Sequence, residues 1–179
     1  MLIKKLVSLP SRSGRHLQRY NDGCRLVVGC IPYRFRETKT SPPIHGTVIE
    51  ELEVLLITSQ KSPRMMFPKG GWEIDEDIKL AATRETMEEA GVVGTLGDKL
   101  GEWIFKSRSR ETFHEGYMFP MLVTEEFDVW PEKNVRQRTW VSSLVKVYAH
   151  AYVKFVRKQF ELLLCKYYVK YFSCSTDDS

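Results

Sequence analysis

No apolar run in the sequence approaches the roughly 20 residues that a membrane-spanning helix needs, so no membrane partner is expected. Cysteine is scarce: four residues, at 24, 30, 165 and 174, with no CxxC spacing among them. That argues against a zinc site and leaves reduced thiols in an intracellular compartment as the default. Internal repeats and RNA-binding motifs are missing too. The first twenty positions contain no acidic residue, yet hold Lys4, Lys5, Arg12, Arg15 and Arg19. Leu2, Ile3, Leu6 and Val7 fit a turn and a half of amphipathic helix. Three readings suit this arm: a mitochondrial transit segment, a basic arm that helps to hold an anionic substrate, or a flexible tail. The protein is accordingly expected in the cytoplasm or nucleus, or in the mitochondrion.

What is present is ordinary for one soluble domain with a sizeable core: 179 residues, 42% hydrophobic and 28% charged. The formal net charge of +4 favours an anionic ligand without proving one. We divide the chain into a basic arm (1–17), a folded domain (18–165) and a tail (166–179).

The most informative stretch runs from Gly70 to Val92, GGWEIDEDIKLAATRETMEEAGV. Ala81 and Ala82 favour a helix, no proline interrupts it, and Gly91 suits a left-handed C-cap. Asp75 or Asp77 is placed to cap its start. Glu85, Glu88 and Glu89 then share one face. Three clustered carboxylates repel one another unless cations or Arg84 offset them, and hard divalent cations take oxygen ligands of this kind. The plain alternative is a solvated acidic face, which is what most charge runs are.

The spacing around the cluster decides against that alternative. Gly70, Glu76, Arg84-Glu85, Glu88-Glu89 and Gly91 match every fixed letter of G-x5-E-x7-R-E-U-x-E-E-x-G-U, where U is apolar. Val92 fits the last U; Thr86 departs from the first, mildly, because it carries a methyl. The stretch resembles the Nudix box. The resemblance implies a hydrolase of nucleoside-diphosphate-linked or related diphosphate bonds that uses Mg2+ or Mn2+. It further implies that Glu85, Glu88 and Glu89 form the catalytic and metal-binding set, with the backbone carbonyl of Lys69 or Gly70 as a further ligand. Glu88 is the candidate general base. Glu76 and Arg84 are expected to join loop and helix through an ion pair.

Along the chain, residues 25–33 read as a doubly buried strand that Pro32 ends, and 34–49 as an exposed loop. Residues 51–59 read as a strand, and 60–69 as a basic turn. After the helix, strands are expected at 92–97 and 100–105, a charged connection at 106–115, and a strand at 117–124. Pro120 suggests that this last strand is an edge or is bulged. A turn at Trp130-Pro131, a short strand at 138–141 and a long helix from Leu144 to about Tyr168, capped by Ser142 or Ser143, complete the domain. The pattern is α/β or α+β. The Nudix resemblance makes it a mixed sheet sandwiched between helices, α-β-α.

Around the box, Phe67-Pro-Lys-Gly-Gly-Trp72 with Glu89-Ala-Gly-Val-Val-Gly94, and the stretches Gln18-Arg-Tyr20, Arg25–Arg34, Gly116–Val123 and Arg136-Gln-Arg-Thr-Trp140, are similar to plant Nudix hydrolases of the diphosphoinositol polyphosphate phosphohydrolase branch. The likeness covers about residues 8–160. It implies removal of the β-phosphate of diphosphoinositol polyphosphates, and often cleavage of dinucleoside polyphosphates. Such substrates need a dense cationic cradle. Its candidates are Arg19, Arg25, Lys61, Lys69, Arg108, Arg110, His114 and Arg136, with Gly70 and Gly71 at the box; each has an equally plain reading as a solubilising surface residue. Two other functions compete: a nucleotide pyrophosphatase acting on dinucleoside polyphosphates, capped RNA or NDP-sugars, with Trp72, Phe113, Tyr117 or Trp140 stacking a base, and a non-catalytic module binding anions or RNA. Nucleic acid is an unlikely partner beside a small polyphosphate, and the sequence leaves the oligomeric state open.

Overall fold

The structure, a computed structural model, describes residues 11–12, 14–37, 50–60, 62–106 and 112–141. Most of the expected arm, the helix from Leu144, the tail, Lys61, Arg108 and Arg110 lie outside these residues.

The strands are β1 (Tyr20–Asn21), β2 (Cys24–Glu37), β3 (Glu50–Ser59), β4 (Ser62–Met66), β5 (Lys69–Gly71), β6 (Val92–Leu96), β7 (Gly101–Lys106), β8 (Phe113–Glu126) and β9 (Arg138–Val141). One helix, α1 (Ile78–Ala90), is described between β5 and β6. The strands form one mixed sheet with a spine in the order β4-β3-β2-β8-β6. β2 and β8 run parallel at its centre, and every other pairing is antiparallel. A mixed sheet with few helices makes this an α+β domain.

Two prolines sit at the centre of the sheet, against expectation. Pro32 does not end β2, which runs on to Glu37, so residues 34–37 are strand and not loop. Pro120 lies inside β8, a central strand rather than an edge. The reason lies in the register. On one side, β2 pairs with β5 through Gly29 and with β3 only from Tyr33, so Pro32 stands where one neighbour hands over to the next. On its outer side, β8 pairs with β7 up to Met118 and with β6 from Met121, so Pro120 stands in the matching gap. Proline has no N–H to donate, and neither position asks for one from that side. The expected turn at 60–69 holds β4 and β5 instead, and β8 starts at Phe113, inside the expected charged connection.

The two faces of the sheet differ. Val28, Cys30, Phe119 and Met121 meet Ala81 and Ala82 of α1, whose small side chains let the helix lie close. Thr86 is fully buried in α1, and its hydroxyl donates to the Ala82 carbonyl at 2.7 Å, so the departure from the box costs no unpaired group. Ile31, Val54, Leu56, Met118 and Val141 cluster separately. Since strand side chains alternate, these point to the face away from α1.

Candidate active site

The helix is set by its ends. Asp77 Oδ1 accepts from the backbone N–H groups of Lys79 and Leu80, at 2.8 and 2.9 Å. Gly91 takes φ 65° and ψ 35°, and its N–H donates to the Met87 carbonyl; a residue with a Cβ would be strained there and would run into the Trp130 ring. Arg138 donates to the carbonyls of Ala90 and Gly91, the Phe127 N–H to Gly91 and the Glu132 N–H to Glu88. The last turn of α1 is thus held by the 127–138 segment.

This helix presents Glu85, Glu88 and Glu89 to a largely dry place. Their side chains are only 12%, 12% and 7% exposed, which rules out a solvated acidic face. Arg84 Nη1 donates to Glu85 at 2.9 Å and reaches Glu88 at 3.5 Å. Glu89 accepts from the Lys69 N–H at 2.8 Å and from Arg136. Burial, opposed by Arg84 and reinforced by the Glu85 charge, pushes the Glu88 carboxyl up to about 7. Burial likewise lifts Glu89 to about 8 against the pull of Arg136 and Lys69, and raises Glu85. The Arg12 side chain pairs with Glu73 and Asp75, at the loop of the box.

Arg84 ties the box together. Its Nε donates to Glu76 Oε2 at 2.9 Å, its Nη2 to Glu76 Oε1 at 2.6 Å and to the Gly71 carbonyl at 2.8 Å. Glu76 Oε1 also accepts from the Glu73 N–H, and the Glu76 carbonyl from the Trp72 indole. Gly70 is pressed against the Glu85 carboxylate, where any Cβ would overlap its oxygens.

In the arrangement described, Arg84, Lys69 and Arg136 occupy the carboxylates, and among the described residues no three acidic, histidine or cysteine groups close around one point. The chemistry of the donors nevertheless suits a hard divalent cation: oxygen ligands only, three carboxylates on one stretch of helix, and largely buried.

The cations fall into two groups. Arg25 and His114 are opposite one another in the β2–β8 register, and Lys69 is opposite Gly29. By alternation all three lie on the sheet face away from α1. Burial, then the charges of Arg25, Lys69 and Arg15, pushes the His114 imidazole down from its ordinary value. Neither Arg25 nor Lys69 forms an ion pair with any described residue, and burial lowers both. Arg19 and Arg136 are engaged differently. Arg19 donates to the carbonyls of Glu73, Ile74 and Glu76 and lies over the Trp72 ring. Arg136 joins Glu89 to Glu132 and donates to the Thr58 carbonyl.

Two residues at the site have no role assigned from the sequence, although Gln18 belongs to a stretch that carries the family likeness. Glu132 bonds Arg136 at 2.6 Å and accepts from Gln60, and its charge acts on Glu85 and Glu88. Gln18 is buried between β1, β2 and the box.

The NUDIX domain family matches residues 42–154, and the chain belongs to it. Among its relatives, Nudix hydrolase 17, mitochondrial, of Arabidopsis thaliana is 54% identical over 142 residues, 79% of this chain and 75% of that protein. Nudix hydrolase 21, chloroplastic, of the same plant is 55% identical over 141 residues, 78% of this chain and 67% of that protein. Diphosphoinositol polyphosphate phosphohydrolase 2 of Mus musculus is 41% identical over 103 residues, 55% of each chain. Two solved structures share the fold. A NUDIX hydrolase from Nitrosomonas europaea superposes with a TM-score of 0.62 at 17% identity, covering 80% of this chain and 90% of that one. The C. elegans Ap4A hydrolase does so with 0.52 at 16% identity, covering 78% and 96%. The chain is therefore a Nudix hydrolase of pyrophosphate bonds, in a family that generally uses divalent metal ions.

Proposed function

We propose that the protein removes the β-phosphate of diphosphoinositol polyphosphates, and also cuts dinucleoside polyphosphates, with Mg2+ as its ion and Mn2+ as a substitute. The observation that carries this reading is the separation of charge: a buried carboxylate helix on one face of the sheet, and on the other Arg25, Lys69 and His114, which act on one another and form no ion pair with a described residue. A substrate dense in phosphate supplies the anions that this face lacks. Glu85, Glu88 and Glu89, with the Lys69 or Gly70 carbonyl, would hold the ions. Once bound, divalent ions neutralise phosphate oxygens and acidify water. Glu88 accepts the proton of the attacking water at its carboxylate. Arg84 holds Glu85 and Glu88 on the helix side, and Glu76 holds Arg84. Arg25, Lys69 and His114 bind and orient the phosphates, joined by Lys61, Arg108 and Arg110. The basic acid-free N-terminus, together with organellar relatives, supports an organelle, the mitochondrion first, as its location.

A second reading, a dinucleoside polyphosphate hydrolase, draws on Phe105. It stacks edge-on against His114 at 5.4 Å on the cationic face, beside the Trp103–Gly116 pair, where a nucleobase would stack. Three of the four aromatics singled out from the sequence are less suited: Trp72 and Tyr117 pack with α1, and Trp140 lies under Arg34. Inositol hexakisphosphate added to a dinucleotide assay separates the readings. Strong competitive inhibition is expected; hydrolysis that ignores it would favour the nucleotide enzyme.

A further inference from the structure

Gln18 has 8% of its surface exposed, and every polar atom of its side chain is used. Nε2 donates to the carbonyls of Arg19, Leu26 and Trp72 at 2.9, 2.8 and 3.1 Å. Three acceptors fix which end of the amide is nitrogen. Oε1 must then face the other way, and it accepts from Arg25 Nε at 2.6 Å. Gly71 makes room for this contact: a Cβ there would overlap Oε1 and lie 2.8 Å from Arg25 Nη2.

The chemistry of the partner matters. The two buried arginines of the site are matched by carboxylates, Arg84 by Glu76 and Arg136 by Glu89; Arg25 is half-buried and is matched differently. Arg25 has no carboxylate within ion-pair distance among the described residues, and is held by a neutral oxygen instead. A carboxylate in that place would fix the guanidinium equally well but cancel its charge. An amide fixes it and leaves the charge unspent. Nε is anchored, and Nη2 lies over Gly71, with the Glu85 charge acting on the guanidinium from beyond ion-pair distance.

We infer that Gln18 is a positioning residue for substrate binding, which orients Arg25 toward a phosphate group while keeping its positive charge uncompensated. The inference rests on the reading of Arg25 as part of the phosphate cradle. It extends the site to a segment before the box and gives Gly71 a role: the second glycine admits the Gln18–Arg25 pair.

The test is a double-mutant cycle on the full chain with a diphosphate substrate. Arg25→Met and Gln18→Met are each expected to raise KM, the latter roughly ten-fold, with kcat within about two-fold. In the Arg25→Met background, Gln18→Met is expected to raise KM no further, because it acts only through the arginine. Independent, multiplying effects would overturn the inference while leaving the cradle standing. An Arg25→Met protein with unchanged KM would overturn the cradle and the inference together. Should Gln18→Met fail to fold, NMR of the Gln18 side-chain amide decides. Inorganic pyrophosphate is expected to shift that resonance in the wild type but not in Arg25→Met. A resonance that pyrophosphate leaves unmoved in the wild type would overturn the inference.

Discussion

Arg84 and Glu76 meet through two hydrogen bonds, 2.6 and 2.9 Å, with side chains only 5% and 1% exposed. This pair joins the box loop to α1 and aims Arg84 Nη1 at Glu85 and Glu88. Removing Glu76 leaves Arg84 Nε without an acceptor, although Nη1 keeps Glu85 and Glu88 and Nη2 keeps the Gly71 carbonyl. Glu76→Ala is therefore expected to destabilise the protein by about 1.5–3 kcal/mol, read as a lowered urea midpoint. A loss below about 1 kcal/mol would mean that water reaches the vacated place.

Glu88→Gln separates chemistry from stability. The amide keeps the shape and removes the base, so turnover is expected to fall by about 10²- to 10⁴-fold. Unfolding of the metal-free variant should occur at the same urea concentration or a higher one, because a buried charge and its repulsion with Glu85 are gone. Full turnover with metal present would show that Glu88 is not the base.

Gly70→Ala probes how closely the loop approaches the helix. Its Cβ would occupy the space of the Glu85 carboxylate, the movable end of a side chain, so the fold should survive while the carboxylate shifts. Mn2+ affinity, measured by the spin resonance of the free ion, is expected to weaken about 10- to 100-fold. Unchanged affinity would remove Glu85 from the metal set.

The pH dependence of the metal-free protein has a definite sign. Glu88 and Glu89 titrate near 7 and 8 when folded, above their unfolded values. The folded state then binds more protons, so their contribution to stability is full at low pH and is lost as pH rises through 7 to 8. The urea midpoint should fall between about pH 5.5 and about pH 8.5. Saturating Mg2+ should reverse the fall, since it binds only the folded carboxylate cluster. A midpoint that rises over this range would contradict the burial of these groups.

The parts of the molecule legible in the sequence are those fixed by local chemistry. Asp77 and Gly91 delimit α1 because a cap and a left-handed residue act on their own neighbours. The box spacing names Glu85, Glu88 and Glu89 for the same reason. What escaped depends on which strands come together. Pro32 looked like a strand end and Pro120 like the mark of an edge or a bulge, because the hand-over from one neighbouring strand to the next exists only in the assembled sheet. β5 is three residues long and its partner, β2, lies at a distance along the chain; β4 folds straight back on β3, but Ser62–Met66 is short and has no apolar–polar alternation to read. Arg25 and Arg136 look alike in sequence, yet one is held by Gln18 and the other lies between Glu89 and Glu132. Neither relationship has a fixed spacing to read.

The most direct measurement is phosphate release, in Mg2+, from a diphosphoinositol polyphosphate and a diadenosine polyphosphate side by side, with Glu88→Gln as control. A higher kcat/KM for the inositol substrate, lost in the variant, is the expected result. A higher value for the dinucleotide would contradict the proposed substrate and turn the cationic face into a nucleotide site; release of phosphate from neither would contradict both.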